Sequence, residues 1–126
     1  MDNVLVATRI HQENASIPPQ LDGIVEFVQN CVKFASKVLI CINFGSLEAT
    51  GSFKDQLIEA FHKHDLMDKV IILPLVYWGR FTTALNTIVV KAMEEGYEKL
   101  IFQVILLCAL SNFLFYSLKI NLVSRI

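Results

Sequence analysis

Val38-Leu39-Ile40-Cys41-Ile42 runs directly into Asn43-Phe44-Gly45-Ser46, and the fold is decided on this stretch. An unbroken apolar run with β-branched residues at alternate places is the pattern of a strand buried on both faces. The residues after it are mostly turn-formers. Working toward the amino terminus, Leu21, Ile24, Val25, Val28, Val32 and Ala35 recur every three or four residues. That spacing puts them on one face of a helix reaching Ser36-Lys37. Before it, Val4-Leu5-Val6-Ala7 reads as another buried strand, and polar Thr8 to Gln20, ending in Pro18-Pro19, reads as a loop. Toward the carboxyl terminus, Ser52 is expected to cap a helix with the stripe Phe53, Leu57, Ile58, Ala60 and Phe61, ending near His64-Asp65. Val70-Ile71-Ile72-Leu73 is a third strand, closed by Pro74, which has no N–H to donate into a sheet. A helix from Thr82 or Thr83 to Glu95 follows, with the stripe Leu85, Ile88, Val89, Ala92 and Met93. Gly96 stands where a left-handed C-cap belongs, and Leu100-Ile101-Phe102 begins a fourth strand.

Strands and helices thus alternate, and the strands are nearly continuous in apolar character. That combination predicts an α/β fold: a Rossmann-like three-layer parallel sheet with helices on both faces. Right-handed crossovers fix most of its topology. Ligands in such sheets bind outside the carboxyl ends of the strands. The stretches so placed are Ala7 to Glu13, Asn43 to Thr50 and Leu75 to Asn86.

The composition agrees with one folded domain, being 54% hydrophobic and 18% charged. A net charge of −1, with no lysine or arginine cluster, excludes nucleic acid as a partner, because such binding draws its affinity from neutralised phosphates. Cys31, Cys41 and Cys108 each lie in an apolar run and read as free, buried thiols. Met1-Asp2-Asn3 lacks the basic start of a secretory leader, so a cytoplasmic location is expected. His62-Lys63-His64-Asp65 reads as a solvated helix end, since histidines two apart on a helix point away from each other. Tyr77 and Trp78, just after a buried strand, fit packing better than stacking on a ligand.

The three strand-end stretches, in this order, resemble the nucleotide-sugar-binding half of family 2 glycosyltransferases, the GT-A fold. In that family the first strand ends in a short polar stretch that contacts uracil and ribose, and here it ends Ala7-Thr8-Arg9 with a carboxylate at Glu13. The family's second strand ends in aspartate, then glycine and serine. Gly45 and Ser46 are kept, while Asn43 replaces the acid, so a hydrogen bond to a base edge is retained and a charge pair is not. The third stretch matches best. Gly79-Arg80-Phe81-Thr82-Thr83-Ala84-Leu85-Asn86 leads into Ala92-Met93-Glu94-Glu95-Gly96. The resemblance spans residues 4 to 102 and implies a nucleotide site made from Ala7, Thr8, Arg9, Glu13, Asn43, Gly79, Arg80 and Asn86, with Arg80 set to meet a phosphate.

Beyond Phe102 the pattern departs from the family. The fourth strand should run into an aspartate, any residue, aspartate signature that holds Mn or Mg against the diphosphate. Here Gln103 is followed by Val104-Ile105-Leu106-Leu107-Cys108, and no Asp or Glu occurs after Glu98. The expectation is a truncated, incomplete GT-A domain over residues 1–103 that binds a nucleotide sugar at most. It has no metal ligands and no catalytic residue, and the divalent cation belongs to full-length relatives. The alternative is a small α/β binding or interaction module with no catalytic task, possible as a tail-anchored protein.

Residues 104–126 form a hydrophobic tail, and Leu100 to Leu118 contains no charged residue. Three readings stand for it: a core strand with packed residues behind it, a membrane anchor through 100–118, or a segment of altered splice or reading frame. The second would make the protein membrane-associated.

Overall fold

The computed structural model describes residues 3–12, 21–44, 46–75, 81–106 and 114–121. Strand β1 (Val4–Gln12) is followed by helix α1 (Leu21–Cys31), strand β2 (Lys37–Phe44) and helix α2 (Leu47–Lys63). A short 3₁₀ turn at Met67–Lys69 leads into β3 (Val70–Pro74). Helix α3 (Phe81–Glu94) then precedes β4 (Lys99–Leu106) and β5 (Leu114–Asn121). The strands form one sheet in the order β3-β2-β1-β4-β5. The first four are mutually parallel, as expected, and β5 runs antiparallel along the outer side of β4.

Successive strand residues face opposite ways, so each apolar strand feeds two cores. Val6, Ile10, Val38, Ile40 and Ile42 join one cluster with Ile24 and Phe27 of α1 and Phe53, Leu57 and Phe61 of α2. Leu5, Ala7, Leu39, Cys41, Leu100 and Phe102 join the other with Ala84, Ile88 and Ala92 of α3. The layering follows from handedness. The chain moves outward from β1 to β2 to β3, and right-handed crossovers put α1 and α2 on one face. It then returns past β2 and β1 to β4, which requires α3 on the other.

Several boundaries differ from the sequence reading. Thr8 to Gln12 is not loop but the second half of β1, paired with Ile40 to Phe44 of β2. Its polar residues hid this, because β1 there extends toward the carboxyl edge of the sheet and no longer needs apolar side chains throughout. Helix α1 ends at Cys31, where bonds from Phe34 N and Ala35 N to the Cys31 carbonyl tighten the last turn. Ser36 N then donates to the Val4 carbonyl, drawing the chain into the sheet. Helix α2 begins at Leu47 rather than after Ser52, because Ser46 is its N-cap: the side chain accepts from Ala49 N at 3.0 Å. On α3, Met93 was expected in the apolar stripe but is exposed; burial follows Ala84, Ile88 and Ala92. The left-handed Gly96 is as expected, with φ at 79°. Cys31 and Cys41 are buried thiols outside any disulfide, and His62 to Asp65 are exposed at the end of α2.

No helix among the described residues is long and apolar enough to cross a membrane. Strand β4 continues past Gln103 to Leu106, and Leu114 to Asn121 pairs back along it, so both described parts of the tail are strands of the sheet.

Candidate functional site

The chain's direction of travel across the sheet reverses between β1 and β4, which makes this the topological switch point where doubly wound sheets bind ligands. The geometry there is a fork. β1 and β4 are paired from Val4 with Lys99 to Ala7 with Phe102, and the ladder goes no further. Yet β1 continues to Gln12 against β2, and β4 continues to Leu106 against β5. Thr8 is the first residue of β1 beyond the last rung. It is fully buried, and its hydroxyl has no hydrogen-bond partner among the described residues. Leaving such a group unsatisfied costs about 1–3 kcal/mol, so its persistence calls for a reason.

The neighbouring strand end is held firmly. Phe44 N donates to Thr50 Oγ1 at 3.2 Å, and that hydroxyl donates to the Ser46 carbonyl at 2.8 Å. The Phe44 ring stacks on Phe53 with centroids 4.8 Å apart. Thr50 is thus a strut between the last residue of β2 and the first turn of α2, buried despite its hydroxyl. Sequence reading missed both Ser46 as cap and Thr50 as strut. Gly45-Ser46 directly after a strand, with Glu48 following, was the available signal for the cap. Nothing local marked Thr50, whose role depends on where β2 ends.

Electrostatically the three helix starts at this edge are unlike. Helix α1 carries Asp22 in its first turn, and α2 carries Glu48 together with its own serine cap. Helix α3 has no acid in its first turn, leaving its positive dipole end uncompensated by a carboxylate of its own. Arg9 lies beside Cys41 in the β1–β2 register, on the face covered by α3. Burial pushes the Cys41 thiol up to about 11, and the Arg9 charge opposes that rise. Cys31, on the opposite face, is likewise raised to about 11 by burial.

The expected site residues are distributed unevenly over this edge. Ala7 is inside the core under α3, at the last rung rather than at a strand end. Thr8 and Arg9 follow it along β1, one toward each face. Asn43 is the penultimate residue of β2, in register with His11. Asn86 is exposed in the second turn of α3. Glu13, Gly79 and Arg80, with Tyr77 and Trp78, lie outside the described residues.

The donor set does not fit a divalent cation of the kind the GT-A resemblance implies. In sequence, β4 past Phe102 reads Gln103-Val104-Ile105-Leu106, without a carboxylate, and hard cations take carboxylate oxygens. Among the described residues no three His, Cys, Asp or Glu side chains come together. Fold and edge geometry together define a Rossmann-like α/β protein with its candidate site at the β1–β4 switch point. No protein-family model matches the chain, and neither a curated protein nor a solved structure does.

Proposed function

We propose that this chain binds a nucleotide sugar at the β1–β4 fork and does not itself transfer the sugar. The reading rests on one observation, the switch point at which the β1–β4 ladder stops while both strands run on. The Thr8 hydroxyl supports it, being a fully buried hydrogen-bonding group just beyond the last rung with no partner among the described residues. Arg9 and the acid-free start of α3 add positive potential where a diphosphate would lie. Recognition by these groups needs no metal. The binding-only reading is supported by the residues past Phe102, where Gln103-Val104-Ile105 stand in place of the family's acid pair.

Calorimetric titration with uridine diphosphate, in manganese and again in excess chelator, tests the proposal. Saturable binding is expected in both, and Arg80→Ala should weaken it at least several-fold. Absence of binding to the folded chain at millimolar nucleotide would sink it. That outcome favours a second reading, an α/β interaction module with no ligand at this edge, for which Ala7 lying within the core is the supporting observation.

A further inference from the structure

We draw no further inference here: the strongest candidate, the buried and unpartnered Thr8 hydroxyl at the fork between β1 and β4, belongs to the site already described.

Discussion

Under α1 and α2 the sheet is packed by Phe27, Phe53, Leu57 and Phe61, whereas under α3 it meets Ala84, Ile88 and Ala92. One face is held by aromatic bulk from two helices, the other by the aliphatic side chains of one. Both helices α2 and α3 end in the same way. Leu66 N reaches back to the Phe61 carbonyl and Asp65 N to that of His62; Tyr97 N reaches the Ala92 carbonyl and Gly96 N that of Met93. These are two Schellman motifs, and each seats an apolar residue, Leu66 or Tyr97, in its own core. The left-handed position differs: Asp65 takes it at φ 57° on the bulky face and Gly96 at φ 79° on the slender one. The bulky face accommodates a strained residue, while the slender face has the residue that suits the conformation. The difference teaches that α3, whose start borders the candidate site, is placed by close approach and a well-formed end rather than by volume.

The largest expected effect is on the bulky face. Phe61→Ala, at a fully buried position, should cost about 3–5 kcal/mol in urea unfolding. A loss below 1 kcal/mol, against that scale, would break the contrast, because it would mean the aromatic layer is not what holds α2. Next is overpacking of the slender face. Ala92→Leu should cost about 1–3 kcal/mol by forcing α3 away from Leu100 and Phe102. If the variant is neutral, α3 has room and close approach is not what positions it.

The paired helix ends give smaller effects of opposite sign. A Cβ at Gly96 would meet nothing within 4 Å, so Gly96→Ala isolates the backbone penalty, roughly 1 kcal/mol lost. Asp65→Gly should gain a similar amount, about 1 kcal/mol, measured as a higher Tm. Equal signs would show that these ends are governed by something other than their left-handed residue. Smallest at neutral pH is the behaviour of the thiols, one in each core. Both have folded pKa values raised from 9.0 to about 11. A raised pKa means the folded state holds the proton more tightly. The thiols' contribution is therefore fully present below pH 9 and is lost as pH rises through 11. Urea midpoints should be level up to about pH 7.5, roughly one unit below the pKa of an ordinary cysteine, and should fall above it. Replacing either cysteine with alanine should make that fall shallower.

Element order and layering were legible in the sequence because buried parallel strands announce themselves as apolar runs: Val38 to Ile42 and Val70 to Leu73 both became strands. Gly96 was legible too, since few residues tolerate its conformation. What escaped was set by partners distant in sequence. Thr8 to Gln12 is strand because β2 is beside it, and Ser46 rather than Ser52 caps α2 because β2 continues to Phe44. Polarity and spacing carry no record of such pairing. Of the candidate site, the edge of the sheet was legible but the fork was not. It depends on where two strands separated by most of the chain stop pairing, and on an antiparallel β5 that no local pattern between Leu100 and Leu118 distinguished from a membrane span.

Asn3 gives the fork a mechanical side. Its side-chain Nδ2 donates to the Gly96 carbonyl at 2.9 Å, and its own carbonyl accepts from Glu98 N and Lys99 N. The β4–β5 hairpin is therefore fastened to the rest of the sheet at its amino edge and along a short seam, with its far end beyond the last rung. That seam runs from Val4 with Lys99 to Ala7 with Phe102. The end of α3 that carries Gly96 and the amino start of the β1–β4 seam are therefore joined through a single residue, Asn3.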